Sequence, residues 1–127
     1  VDRYLAIEQL RLGDRLKVER DVDDLPLDLE MPSLLLQPLV ENAVYHGIQP
    51  RREGGCVRIA ARRIPQGVEI GIDNPLPDGE TVRRNGHGLD SVRRRIAYHF
   101  GARGGLETRS GHGMFRVVVR LPHAQLP

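Results

Sequence analysis

The sequence predicts an α/β (α+β) two-layer sandwich, in which a mixed, mostly antiparallel sheet carries about three helices on one face. The elements expected along the chain are helix, strand, helix, hairpin, long loop, helix and hairpin. Adjacent antiparallel strands interleaved with helices favour this arrangement over a doubly wound parallel sheet. Since 127 residues suit one domain with a single core, residues 1–127 are expected to form one unit.

The composition narrows the function classes. A charged content of 28% and a net charge of +2 are ordinary for a globular protein, and no interleaving of aromatic and basic residues indicates nucleic-acid binding. The single Cys56 rules out an intramolecular disulfide and fits a reducing compartment. No apolar run approaches the roughly 18–20 residues of a membrane span, and no signal peptide is visible. We therefore expect a soluble, cytoplasmic chain.

The first predicted helix, over residues 1–16, has two apolar sides. One side is formed by residues spaced four and seven apart: Val1, Leu5, Leu12 and Leu16. Ile7 and Leu10 form a second strip on roughly the opposite side. Because a surface helix normally has one apolar face, we expect upstream chain or a second subunit to cover the other. Residues 16–22 then alternate apolar and charged side chains, which predicts a half-exposed strand.

A central helix is predicted over residues 34–47, and polar side chains lie along the edge of its apolar stripe. The stripe is made by three residues: Leu35, Leu39 and Ala43. Asn42 and His46 lie one turn apart beside it, whereas Glu41, about 100° round the helix, points elsewhere. An amide and an imidazole in this position suit a ligand site. A partly buried helix with satisfied polar edges explains the same pattern.

Two hairpins, a loop and a helix are expected in the rest of the chain. The first hairpin joins residues 56–64 and 67–72, and residues 73–75 (Asp-Asn-Pro) are expected to end its second strand. A long loop without hydrophobic period follows at residues 76–87. The final elements expected are a helix over residues 88–100, capped by Gly101, and a hairpin of residues 105–109 and 114–121.

Four features of the chain could form a nucleotide site. Asn42 carries an uncharged oxygen that can complete a Mg²⁺ shell dominated by water and phosphate oxygens, and His46 can donate to a phosphate. Asp73, expected at a strand end, can accept a hydrogen bond from an exocyclic amine such as that of adenine. Residues 86–89 (Gly-His-Gly-Leu) open a helix, where glycines and free N–H groups suit a phosphate.

Each feature alone has an ordinary structural explanation. A Gly-x-Gly before a helix is mostly a turn, an aspartate before Asn-Pro commonly starts a turn, and a histidine at a helix edge is more often structural. Their order and type together, with a long loop between the last two, are much harder to obtain by chance.

These features resemble the boxes of the ATP-binding domain of sensor histidine kinases, which has the Bergerat (GHKL) fold. Residues 32–47, PSLLLQPLVENAVYHG, are similar to the N-box in the form found in the LytS family. Residues 75–87 are similar to the ATP lid. Asp73 stands where the G1 box begins, and residues 86–89 where the G2 box lies. YLAIEQLRLGDRL, GLDSVRRRIAYHFG and GHGMFRVVVRLP also resemble this family, and DNPLP resembles its alginate-regulating sensors.

The resemblance implies a role for each residue. Asn42 would hold the Mg²⁺ that accompanies ATP, Asp73 would bind adenine, and three residues would contact the phosphates: Gly86, Gly88 and Leu89. His46 and Arg95 would be further phosphate contacts, and Glu41 is a candidate general base. The partners implied are a phosphoacceptor-histidine segment of the same or a partner subunit and a response regulator. The parent protein would be a homodimer anchored in the inner membrane of a bacterium, with this domain in the cytoplasm.

The chain also departs from the family pattern. The G1 box is usually Asp-x-Gly-x-Gly, whereas residues 73–77 keep only the aspartate. The phosphoacceptor pattern NPHFLFN does not occur here, so we expect this chain to bind nucleotide without phosphorylating itself. Two alternatives remain open. One is a degenerate domain that serves as a dimerisation or response-regulator docking module, and the other is a different GHKL ATPase or serine kinase.

Overall fold

In the part of the chain that the structure describes, a five-stranded sheet forms one layer and three helices form the other. The computed structural model describes residues 2–21, 33–48, 52–65, 67–76 and 86–122. The helices are α1 (Asp2–Leu12), α2 (Ser33–Ala43) and α3 (Gly86–Phe100). The strands are β1 (Leu16–Asp21), β2 (Gly55–Ile64), β3 (Gly67–Pro75), β4 (Gly105–Gly111) and β5 (Met114–Pro122).

The sheet is mixed and mostly antiparallel, as predicted. Its strand order is β1-β2-β3-β5-β4. The pairing of β1 with β2 is parallel, and the other three pairings are antiparallel. The order of elements along the chain also agrees with the sequence prediction.

The core lies between one face of the sheet and the helices. Because side chains alternate across a strand, every second residue of β2, β3 and β5 points into this core. The inward residues include Val57, Ile59, Ile70, Ile72, Phe115, Val117 and Val119. They form one cluster with the inner faces of the three helices, to which Leu5, Leu39, Leu89 and Ile96 belong. The opposite face of the sheet carries mainly charged and small side chains.

The first helix is shorter than the sequence predicted. It ends at Leu12, and residues 13–15 form a 3₁₀ turn that starts at Gly13, whose φ is 60°. A left-handed residue at this point interrupts the α-helical ladder. The second apolar strip is on the surface of the described structure, since Ile7 is 57% exposed and Leu10 is 88% exposed.

The central helix passes through Pro38 and then widens. Residues 44–48 form a π turn, in which Val44, Gly47 and Ile48 are buried. The helical segment therefore extends slightly beyond the predicted end at residue 47. This π turn packs against β2 and β3, while α2 packs against α3 and β3. Such a widened turn redirects the side chains at the end of a helix and is frequent at functional sites.

Strand β3 continues three residues beyond its predicted end. Asp73, Asn74 and Pro75 pair with Arg116, Phe115 and Met114 of β5. Pairing with β2 stops at Asp73, so Pro75 pairs only with β5, and a sheet tolerates proline where one side of the strand is unpaired. The prediction that residues 73–75 end the strand is therefore wrong, because pairing with β5 outweighs their turn propensity.

Candidate functional site

Asn42 and His46 lie at the C-terminal end of α2, close to the end of β3. Both side chains are half-buried. The ring of His46 contacts the exposed Tyr45 edge to face, with 4.9 Å between the ring centroids. Glu41 is exposed, and its Oε2 accepts a hydrogen bond of 2.9 Å from Gln37 Nε2. The half-buried Asn42 and the exposed Glu41 therefore face different surroundings, as the helical spacing predicts.

Asp73 does not join Asn42 and His46. Its Oδ1 accepts from Arg116 Nε at 2.5 Å and its Oδ2 accepts from Arg116 Nη2 at 2.8 Å, on the face of the sheet away from the helices. The hydrogen bonds to Asp73 raise the pKa of Arg116. The structure therefore does not bring Asp73 into one pocket with Asn42. Adjacent residues of a strand point to opposite faces, and Asp73 falls on the face that no described helix covers.

Asn74 occupies the place on the helix side that Asp73 was expected to fill. It is 2% exposed and follows Val68, Ile70 and Ile72 on the inward side of β3. A β-carbon added to Gly47 would lie 2.6 Å from the Cβ and the Nδ2 of Asn74, so the amide rests directly on the π turn. The inward position of Asn74 could have been predicted from the sequence. If β3 is continued past residue 72, the alternation of inward and outward residues makes residue 74 an inward one.

The orientation of the Asn74 amide is fixed by its hydrogen bond. Its Nδ2 donates to the Pro75 carbonyl oxygen at 2.8 Å. Because a carbonyl oxygen only accepts, the atom facing it must be the nitrogen, and the remaining side-chain acceptor is Oδ1. The side chain thus keeps a hydrogen-bond acceptor at a nearly buried position next to the end of α2.

The start of α3 supplies backbone donors. Because the helix begins at Gly86, the amides of its first turn, including that of Gly88, lack partners within the helix. The side chain of Leu89 is 3% exposed and belongs to the core, so only its backbone is suited to a ligand. Arg95 is exposed, about 13 Å along the helix axis from Gly86. Most of the predicted lid, residues 77–85 with Arg83 and Arg84, lies outside the described residues.

The donor set fits a metal that arrives with a nucleotide. Within the described ranges, no group of three histidine, cysteine, aspartate or glutamate side chains could hold a metal ion. A cation at the end of α2 would take most of its ligands from phosphate and water, with one oxygen from Asn42. Mg²⁺ prefers such a shell, whereas zinc and the other transition metals favour sites with several protein ligands.

We expect Gly47→Ala to destabilise the protein by about 1–3 kcal/mol, the usual effect of overpacking. The new methyl group would overlap the Asn74 side chain at 2.6 Å, so either the π turn or β3 must shift. The free energy of unfolding in urea measures this change. Gly71→Ala is the matched control, because a β-carbon there meets nothing within 4 Å. Equal stability of the two variants would contradict the contact between Gly47 and Asn74.

Comparison with known proteins finds relatives among the sensor histidine kinases. No protein-family model matches the chain. The sensor histidine kinase YpdA of Escherichia coli (strain K12) is 45% identical over 87 residues, which are 68% of this chain and 14% of YpdA. The sensor histidine kinase YesM of Bacillus subtilis (strain 168) is 34% identical over 128 residues, 96% of this chain and 22% of YesM. The chain is a homologue of the sensor histidine kinases.

The relatives include LytS proteins, whose resemblance to this chain was predicted from its sequence. The sensor protein LytS of Staphylococcus saprophyticus is 27% identical over 139 residues, 99% of this chain and 24% of LytS. This sensor-kinase homologue therefore spans less than a quarter of the length of the relatives it matches.

The fold is that of a histidine kinase catalytic domain. The catalytic domain of histidine kinase ThkA aligns with a TM-score of 0.70 at 19% identity, over 96% of this chain and 88% of that domain. The predicted two-layer sandwich of the Bergerat type is thereby confirmed. In the part of the homologue that the structure describes, no helix has the length and apolar character needed to cross a membrane.

Proposed function

We propose that residues 1–127 are the ATP-binding catalytic domain of a two-component sensor histidine kinase. The domain would position Mg·ATP for phosphoryl transfer to a histidine on a separate upstream segment. The observation that carries this proposal is the amide of Asn74, held against the π turn at the end of α2. Similarity to sensor histidine kinases over nearly the whole chain supports it.

The residues on the helix side of the sheet would contact different parts of Mg·ATP. Asn74, in place of the predicted Asp73, would accept a hydrogen bond from the exocyclic amine of adenine through Oδ1. Asn42 would add one oxygen to the metal shell. A neutral amide is a weaker acceptor than a carboxylate, because hydrogen bonds to charged groups contribute about 1.5–3 kcal/mol and neutral ones about 1 kcal/mol. We therefore expect weaker nucleotide binding than an aspartate at this position would give.

The phosphates would meet the start of α3. The backbone N–H groups of Gly86, Gly88 and Leu89 would donate to them, and His46 and Arg95 would be more distant contacts. Bound Mg·ATP supplies the phosphoryl group and neutralises its charge, so the domain contributes mainly positioning and electrostatic stabilisation. Glu41 is the weakest member of the predicted set, since it is exposed and hydrogen-bonded to Gln37.

The partners follow from the same function. A crystal structure holds histidine kinase ThkA in complex with the response regulator protein TrrA, which supports a response regulator as a partner of this domain. The phosphoacceptor histidine would lie on a segment of the same or a partner subunit in a homodimeric parent. We place this domain on the cytoplasmic side of an inner-membrane-anchored bacterial sensor.

Two neighbouring residues of β3 give a sharp test of this site. Asn74→Ala is expected to weaken binding of Mg·ATP about tenfold, which corresponds to the loss of one hydrogen bond. Asp73→Ala is expected to change the affinity by less than about twofold, because its side chain is on the other face. Calorimetric titration with ATP and Mg²⁺ measures both, with circular dichroism as the control for folding.

The outcomes separate the alternatives. A larger loss in Asp73→Ala than in Asn74→Ala would contradict the assignment of Asn74 and restore the aspartate expected from the sequence. No heat from the unsubstituted protein at millimolar ATP would refute nucleotide binding. That result would favour a degenerate domain that serves as a docking module.

A further inference from the structure

The face of the sheet opposite the helices carries a cavity of about 390 Å³. None of the helices in the described ranges packs on this face, whose strand residues alternate with those of the core. The cavity is lined by Asp21, Arg58, Ala60, Ala61, Arg62, Glu69, Gly71, Asp73, Arg109, Arg116, Val118 and Arg120. It is therefore separate from the proposed nucleotide site on the helix side.

The strand register arranges the lining residues in three rows across β2, β3 and β5. The first charged row is Arg58, Asp73 and Arg116. The middle row is Ala60, Gly71 and Val118. The second charged row is Arg62, Glu69 and Arg120. The charged rows are four residues apart along each strand, which is about 13 Å, and the small side chains of the middle row form the floor of a trough between them.

Carboxylates hold the arginines of the second charged row in place. Arg62 Nη2 lies 2.8 Å from Glu69 Oε1, and Arg120 Nε donates to Glu69 Oε2 at 2.9 Å. The hydrogen bonds from Arg62, together with those from Arg120, lower the pKa of Glu69, so this carboxylate stays ionised. Each guanidinium has five N–H donors and uses only part of them here. A second anion can therefore bind to arginines whose conformations are already fixed, which reduces the entropy lost on binding.

The charge of the cavity favours an anionic partner of a particular kind. Five arginines and three carboxylates line it. The carboxylates divide the positive charge into two separate rows, which suit single carboxylates about 13 Å apart better than the continuous charge of a phosphate backbone. A small apolar centre with arginines around it is instead typical of an interface between proteins, where arginine is enriched.

We propose that this open face docks an acidic segment of a partner protein. The segment would place an apolar side chain over Gly71 and a carboxylate toward each charged row. In an extended chain, residues i and i+4 are about 13 Å apart and share a side with residue i+2. A segment with the pattern acidic-x-apolar-x-acidic therefore matches the two charged rows and the floor between them.

The test is a titration with the peptide Glu-Thr-Leu-Thr-Glu, followed by amide NMR shifts. We expect saturable shifts at Ala60, Gly71 and Val118, and no such shifts with the control peptide Lys-Thr-Leu-Thr-Lys. Gly71→Val is expected to weaken binding at least about tenfold, because its side chain fills the trough. A β-carbon at Gly71 meets nothing within 4 Å, so the variant is expected to fold normally.

Gly105→Val is the matched control for that substitution. Gly105 pairs with Arg120 at the edge of the same face and also has open space around its Cβ, but it does not line the cavity. Binding of the acidic peptide is expected to be unchanged in this variant, and ATP binding is expected to be unchanged in both. The proposal is thus tested independently of the nucleotide site.

Four results would overturn the proposal. They are the absence of saturable shifts at millimolar acidic peptide, equal binding of the lysine peptide, equal loss in Gly71→Val and Gly105→Val, and tighter binding of duplex DNA at the same amides. The last result would assign the face to nucleic acid instead.

Discussion

Asn42→Ala is expected to reduce phosphoryl transfer in the full-length parent protein by at least about a hundredfold. The substitution removes the only side-chain oxygen proposed for the metal, and the protein would then hold the phosphates in a less defined position. We expect this loss of activity without a large change in stability, because Asn42 is only half-buried at the end of α2. Labelled phosphate transferred from ATP to the parent protein, measured at saturating Mg²⁺, gives the rate.

Glu41→Ala is the matched control for this prediction. The two residues are adjacent on α2, but Glu41 is exposed and its carboxylate is bound by Gln37. Its substitution is expected to change the rate by less than about threefold, since loss of an exposed contact has little effect. A greater loss in Glu41→Ala than in Asn42→Ala would instead identify Glu41 as a general base and contradict the role given to Asn42.

Phe115→Ala is expected to lower the free energy of unfolding by about 3–5 kcal/mol, as large-to-small substitutions in a core usually do. The Phe115 side chain is completely buried, and it pairs across the sheet with Asn74. Since a domain of this size is stable by only about 5–15 kcal/mol, this loss removes a large part of the total. Urea denaturation followed by circular dichroism measures it.

Met114→Ala controls for the position in β5. Met114 is next to Phe115 in the strand but is 39% exposed, because it lies on the other side of the pleat. We expect this substitution to change stability by less than about 1 kcal/mol. Similar losses in the two variants would mean that Phe115 is not in the core, and the strand register would have to be revised.

Local patterns were sufficient to predict the elements of the fold. The period-two alternation of β2, the inner stripe of α3 and the glycine turn before β5 are all encoded within a few residues. The strand order was harder to predict from the sequence. The parallel pairing of β1 with β2 joins residues separated by about forty positions, and the pattern of a single strand does not reveal its partner.

The sequence placed candidate site residues on α2 and on β3, and the structure brings only some of them to the same face of the sheet. Asn42 and His46 follow from helical spacing alone. Asp73 was predicted because it was expected at the end of a strand and stands where the G1 box begins. Hydrogen bonding to β5 keeps the pleat through Pro75, so the inward residue is Asn74. The ion pair of Asp73 with Arg116 spans 43 positions and could not be inferred from either segment alone.

At the end of β3, the pleat places a carboxylate and an amide on opposite faces of the sheet, although Asp73 and Asn74 are adjacent in the chain. A slip of the strand by one position would exchange Asp73 and Asn74, but it would also turn Val68, Ile70 and Ile72 out to water. The buried side chains of β3 thus fix the strand register, and the register determines the face on which each of the two residues lies. Mutation can alter the amide on one face or the carboxylate on the other separately, so the proposed nucleotide site and the proposed docking face can change independently in evolution.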